Sequence, residues 1–184
     1  MNQILSHELY KASKACVLWL AILIAPPITA ETLHGRIVGV SDGDTVTLLD
    51  AAMTTHKVRL MGIDAPEKSQ PFGTRSKQSL SSLVFGKQVV VEFYKKDRYG
   101  RLIAKIATPK APDVNLEQVK LGMAWHYKDY QKEQSPIDRE AYANAEEEAR
   151  AYRRGLWSDP DPVAPWAFRK DRRAGNAFLA PSVR

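Results

Sequence analysis

Ser41-Asp42-Gly43-Asp44-Thr45-Val46-Thr47-Leu48-Leu49-Asp50 and, a few residues on, Val58-Arg59-Leu60-Met61-Gly62-Ile63-Asp64-Ala65-Pro66-Glu67 form the most informative stretch of this chain. Two apolar runs of strand length, 46–49 and 58–61, are each bracketed by carboxylates: Asp42 and Asp44 before the first, Asp64 and Glu67 after the second. A hairpin through residues 51–55 sets the start of the first strand beside the end of the second, so Asp44 and Asp64 converge within reach of one metal ion. Their repulsion then calls for a cation. Arg59 lies inside the second strand, where a permanent charge costs desolvation unless an anion is near. Taken singly, each feature has a plainer reading. Asp-Gly is a common turn dipeptide, Asp-Ala-Pro-Glu suits an ordinary loop, and a strand arginine often marks an edge. Their conjunction with a second arginine, in Asp97-Arg98-Tyr99-Gly100-Arg101, favours a site.

Outward from this stretch the extended pattern continues. Residues 36–40 precede the Asp-Gly turn, 55–63 make a third strand, 88–93 a fourth, and Leu102, Ala104 and Ile106 alternate in a fifth. Between the third and fourth, residues 70–84 change to helical period, with Leu80, Leu83 and Val84 on one face and Gly86 as the C-terminal cap. A short helix follows with Asn115 as its N-cap and Gly122 closing it. The longest helix has Ser135 as cap and Pro136 in its first position, an apolar stripe of Ala141, Ala145, Ala149, Tyr152 and Leu156, and Gly155 as its stop. Its Glu146-Glu147-Glu148 run reads as a solvated face. Beyond Trp157 the proline-rich, basic composition predicts an extended segment pinned by its tryptophans. Trp157 and Trp166 read as core plugs, and residues 169–184 as a basic, flexible tail. Five short strands with one inserted helix, and about three packed helices in all, predict a mainly β, α+β fold. The expected form is a five-stranded OB-type barrel, since an open parallel sheet needs a helix at each crossover.

At 184 residues, 44% hydrophobic and 26% charged, the chain suits one domain plus appendages and not a disordered polymer. A net charge of +6 with a pI near 9.4 favours a polyanionic partner. Lys11 and Lys14 precede an uninterrupted apolar run over residues 15–25, followed by Pro26-Pro27 and Ile28-Thr29-Ala30. This is the layout of a signal peptide over residues 1–30, too short to span a bilayer, which takes about 20 residues. The lone cysteine, Cys16, would leave with it, which excludes a disulfide scaffold, a thiolate metal site and a cysteine nucleophile together.

Asp42-Gly43-Asp44-Thr45, residues 59–67 and Tyr99-Gly100-Arg101, in that order and spacing, closely resemble the thermonuclease (staphylococcal nuclease-like) family. The likeness runs over about residues 35–157 and includes Gly122-Met123-Ala124-Trp125 and Gly155-Leu156-Trp157. It implies an OB-fold domain over residues 31–168 that uses calcium to hydrolyse DNA and RNA, leaving 3′-phosphate ends. It also implies Asp44, Asp64 and the Ala65 carbonyl as metal ligands and Arg59, Glu67 and Arg101 as the catalytic trio. Ala65 stands where the best-known member has threonine, and its carbonyl supplies the same oxygen. Tyr127 and Tyr130 are candidates for nucleotide stacking. Lys95, Lys96 and Arg98 are candidates for tracking the phosphate backbone. His126 reads as a partly buried surface histidine rather than a base-stacking group.

The chemistry of these residues points the same way. An oxygen-only ligand set suits a hard cation, calcium with magnesium as the alternative. A phosphodiester repels hydroxide, and its transition state gathers charge on equatorial oxygens that paired arginine N–H groups match and lysine does not. The expectation is an exported enzyme, periplasmic or secreted, monomeric and without stable membrane association after cleavage. The competing reading is a non-catalytic OB-fold module that binds single-stranded nucleic acid. Paired acids facing a polyanion count against it, because they weaken binding unless a metal neutralises them.

Overall fold

The computed structural model describes residues 30–175, so all but the last residue of the expected signal peptide lies outside the described residues. Its strands are β1 (Glu31–Val40), β2 (Thr45–Asp50), β3 (Thr55–Leu60), β4 (Ile63–Asp64), β5 (Gln88–Lys96), β6 (Leu102–Ala107) and β7 (Trp125–His126). Five of them close into a barrel in the order β1-β2-β3-β6-β5, with β5 returning to β1. All pairings are antiparallel except β3 with β6, and that parallel pair is what requires a helical crossover between them. The crossover contains α1 (Gly73–Val84). This is the OB-type, mainly β architecture that the strand pattern predicts.

The core forms where period-two alternation meets the barrel interior. Leu102, Ala104 and Ile106 of β6 are buried, and Ile37, Val46, Leu48, Val58 and Val91 have no exposed surface. Leu80 and Val84 of α1 close one end, and Val114, Val119 and Tyr142 extend the same cluster toward the later helices. Each fully buried Leu or Ile contributes about 1.5–3 kcal/mol relative to exposure.

Several elements differ from expectation for identifiable reasons. The predicted third strand over 55–63 is broken at Gly62, whose φ of 76° turns the chain out of the barrel. That left-handed φ favours glycine, and a Cβ there would also lie 2.3 Å from the side-chain amide of Gln134. Beyond the break, Ile63 and Asp64 pair with β7 instead. The short helix α2 (Val114–Lys120) is capped by Asp113, whose carboxylate accepts from the Leu116 amide at 2.9 Å, and not by Asn115. Asn115 is fully buried. Its amide donates to the carbonyls of Met61 and Ala104 and accepts from the amide of Ile106, lacing the helix to the barrel.

Helix α3 (Pro136–Ala151) begins as expected, with the Ser135 hydroxyl accepting from the Asp138 amide at 3.0 Å. Its buried face is Tyr142, Ala145, Glu146 and Ala149, while Tyr152 lies exposed past its end. Three consecutive glutamates point in different directions on a helix, and here one of them faces inward. Glu146 does, accepting from the His126 amide at 3.1 Å with Lys128 as its ion partner at 3.1 Å. His126 is likewise buried, its Nε2 2.9 Å from Gln134 Oε1, and is no surface group.

The largest correction is at the C-terminus. Residues 165–173 form a fourth helix, α4 (Pro165–Arg173), with Pro165 in its first turn and Phe168 buried. The expected flexible tail from residue 169 therefore starts in the middle of a helix. Among the described residues no helix is long and apolar enough to cross a membrane.

Candidate active site

Arg59 pairs with Thr45 across the β2–β3 ladder, which delivers its side chain to the turn that carries Asp44. Its guanidinium donates through Nη1 to Asp44 Oδ1 and through Nη2 to Asp64 Oδ1 at 2.8 Å. The two carboxylates therefore converge, as the hairpin argument predicts, but Asp64 arrives on β4 after the Gly62 turn and not at the end of the same strand. Both are deeply buried, Asp44 at 3% and Asp64 at 0% exposure. Asp44 is further held by the Ala65 amide, which donates to Oδ2 at 2.9 Å, and by the Thr45 hydroxyl. The turn beneath it is fixed from inside. Gln118 donates to the Gly43 carbonyl at 2.9 Å, and a Cβ on Gly43 would sit 1.8 Å from the Ser76 hydroxyl.

Burial opposes ionisation of Asp44, but the Arg59 charge and the Ala65 amide outweigh it and hold its carboxyl below the usual range. For Asp64 burial prevails despite Arg169 and Arg59, with repulsion from Asp44 adding to it, so its carboxyl is pushed up. Asp42, half-buried beside Asp44 and repelled by it, is pushed up to about 6 by partial desolvation and that repulsion. Arg59, between the two acids, is locked in its charged form, its own burial notwithstanding.

These groups line an open cleft of about 700 Å³. Every residue expected in the site borders it: Asp44, Arg59, Asp64, Ala65, Glu67, Lys95, Lys96, Arg98, Arg101, Tyr127 and Tyr130. They are not all free. Arg101 lines the cleft with its Nε donating to Asp97 Oδ2 at 2.7 Å and its backbone amide donating to Asp97 Oδ1 at 3.0 Å. Lys95 is ion-paired with Glu133, and Arg98 turns onto Tyr99, 4.9 Å from the ring centroid. Tyr127 is stacked on Trp166 with centroids 5.3 Å apart and planes at 13°, so one of its faces is already covered. Tyr130 remains half exposed at the rim.

Three participants escape sequence reasoning. Asp97 anchors Arg101. Gln70 accepts from the Glu67 amide at 3.1 Å and donates to the Val163 carbonyl at 2.6 Å. Arg169 of α4 enters the cleft and donates to Asp64 Oδ2 at 2.7 Å and to Glu67 Oε1 at 2.8 Å. The sequence carried a signal for the helix that holds Arg169, Pro165 in a first-turn position, but none for its acid partners.

The donor set fits a hard cation. Two buried carboxylates, Asp44 and Asp64, share a single guanidinium, so one ion could reach oxygens of both, and Ala65, whose amide holds Asp44, borders the same cleft. Among the described residues no cluster of three or more His, Cys, Asp or Glu stands ready as a cage, so such an ion would keep much of its coordination for water and substrate.

Comparison with known proteins agrees with this geometry. The family model for the staphylococcal nuclease homologue matches residues 57–159, a span that holds Arg59, Asp64, Glu67 and Arg101. Over 143 residues the chain is 41% identical to an Escherichia coli protein named an uncharacterized endonuclease, covering 78% of this chain and 89% of the relative. A Haemophilus influenzae protein of the same description is 46% identical over 143 residues, 78% of this chain and 76% of its own. A Shigella flexneri protein named micrococcal nuclease is 37% identical over 167 residues, 86% of this chain and 92% of its own. With its barrel, its acid–arginine cleft and more than half its length matched, the chain belongs to the staphylococcal nuclease homologue family.

Proposed function

We propose that this protein is an exported, calcium-dependent nuclease that hydrolyses phosphodiester bonds of DNA and RNA and leaves 3′-phosphate ends. The observation that carries the reading is the shared grip of Asp44 and Asp64 on Arg59, with Glu67 and Arg101 on the same cleft. Asp44, Asp64 and the Ala65 carbonyl would hold the ion, with magnesium as the alternative to calcium. Held by these groups, a hard cation would offset the negative charge of the phosphodiester and make a nearby water easier to deprotonate.

The chain's own groups supply the rest. Glu67, on a loop with its side chain 35% exposed, is open to a water molecule and accepts its proton as the water oxygen bonds to phosphorus. The bond from phosphorus to the 5′ oxygen breaks, and that oxygen takes a proton from solvent, leaving a 3′-phosphate and a 5′-hydroxyl. Arg59 keeps N–H donors beyond those given to the acids, and Arg101 can exchange Asp97 for a phosphoryl oxygen. Together they stabilise charge that develops on the equatorial oxygens. Lys96 and Arg98 at the rim, with Lys95 once released from Glu133, supply attraction for a polyanion. The net charge of +6 supports the same partner. Export rests on the residue 1–30 pattern, and we propose that the mature protein acts as a monomer, off the membrane, in the periplasm or outside the cell.

The test is incubation with single- and double-stranded DNA and with RNA, in calcium, magnesium or chelator, followed by end analysis. Products that a polymerase extends only after phosphatase treatment are expected. Directly extendable 3′-hydroxyl ends would contradict the proposed bond cleavage.

A further inference from the structure

We infer that Arg169, on the C-terminal helix α4, is a positioning residue that fixes Glu67 against Asp64 for the reaction; this rests on the nuclease reading above. One guanidinium bridges two acids of different duties. Its Nη1 donates to Glu67 Oε1 at 2.8 Å and to Asp64 Oδ1 at 3.2 Å, and its Nη2 donates to Asp64 Oδ2 at 2.7 Å. Asp64 is an immovable anchor, fully buried on β4 and hydrogen-bonded to Arg59. Glu67 is the opposite: it stands on a loop, and Arg169 is its carboxylate's hydrogen-bond partner among the described residues. A side chain with that freedom loses rate if it samples unproductive rotamers, and the planar fork of an arginine removes them.

The helix that carries Arg169 is itself fastened to the Glu67 loop. Phe168 is buried, Trp166 stacks on Tyr127, and Arg172 donates to the Ser69 hydroxyl at 3.4 Å. Gln70 ties the Glu67 amide and the Val163 carbonyl together just ahead of α4. So the base and its tether are held by one local network. Arg169 lies beyond residue 159, where the family match ends, and so nothing in that match assigns it a role.

The test compares Arg169→Ala, Arg169→Lys and Glu67→Gln, singly and with Arg169→Ala and Glu67→Gln combined, on a short DNA oligonucleotide in calcium. Arg169→Ala should lower kcat about 10–100-fold, as loss of an orienting partner of a functional group does. KM should stay within about threefold, and methylguanidinium should restore part of the rate. Lysine keeps the charge but cannot bridge both acids, so Arg169→Lys should recover only partly. In the Glu67→Gln background Arg169→Ala should cost less than about threefold further, because the two act as a unit. Calcium titration by calorimetry should show Arg169→Ala binding the ion no more weakly than the parent, since a positive charge beside Asp64 is gone. Wild-type kcat in Arg169→Ala, a faster variant, or a rate loss undiminished in Glu67→Gln would overturn the inference, as would a parallel loss of calcium affinity. If Arg169→Ala does not fold, Arg169→Lys carries the same comparison. A wild-type protein that cuts nothing would instead refute the nuclease reading itself.

Discussion

Arg59→Ala removes the guanidinium that joins two acids exposed by only 3% and 0%. Breaking a buried ion pair by deleting one partner costs about 3–5 kcal/mol, because the remaining charge is left in a medium that cannot solvate it. Some donors survive here. Asp44 keeps the Ala65 amide and the Thr45 hydroxyl, and Asp64 keeps Arg169. Those contacts place the loss near the lower bound, about 3 kcal/mol. For a domain of this size that corresponds to a fall in Tm of roughly 6–12 °C. Urea unfolding, followed by tryptophan fluorescence in chelator so that no cation takes the place of Arg59, measures it. Adding Asp44→Asn should return most of the stability by removing the orphaned charge. A loss below about 1 kcal/mol, the worth of an exposed pair, would refute the claim that these acids depend on Arg59, as would the absence of any recovery.

Three further outcomes follow from particular contacts. Arg101→Lys should lower turnover on a short oligonucleotide by about 10²–10³, whereas Lys95→Ala should leave saturated turnover intact and flatten the salt dependence of binding; equal kinetic effects of the two would count against distinct roles. Asn115→Ala breaks three buried hydrogen bonds between α2 and the barrel, so the urea midpoint should drop by the equivalent of at least about 2 kcal/mol with the slope unchanged. His126 is buried and its pKa lowered by that burial, with Lys128 adding to the shift and Gln134 and Glu146 opposing it. The unfolded chain then takes up a proton that the folded chain refuses, so stability falls as pH drops below about 6.5, by up to about 1.4 kcal/mol per pH unit. The slope of urea midpoint against pH should flatten in His126→Gln, and an unchanged slope would show that other groups cause it.

The barrel was legible because its signals are local. Alternation at Leu102, Ala104 and Ile106, the Ser135-Pro136 start and the Asp42-Gly43 turn each act over a few residues, and the structure keeps all three. The convergence of Asp44 and Asp64 was legible in part, because a short hairpin sets the end of β3 beside the start of β2, although Asp64 completes it from β4. What failed depended on distant partners. The third strand ends early because Gly62 takes a left-handed φ of 76° and Ile63 and Asp64 pair with residues 125–126 instead. Asn115 reads as a cap, yet its amide serves carbonyls 54 and 11 residues away. Glu146 faces inward to meet His126 and Lys128. Arg169 reads as tail charge in the sequence because its two acid partners lie 105 and 102 residues earlier, a separation no periodicity encodes.

The central claim is that Asp44 and Asp64 make the cleft a calcium-dependent site of phosphodiester hydrolysis. The most direct measurement is the initial rate of single-stranded DNA cleavage across a calcium titration, for the parent and for Asp44→Ala, with a chelator control. No cleavage is expected in chelator, with recovery on adding calcium and an Asp44→Ala curve displaced to higher calcium with part of the rate regained. Undiminished cleavage in chelator, or an Asp44→Ala curve that overlays the parent's, would contradict it.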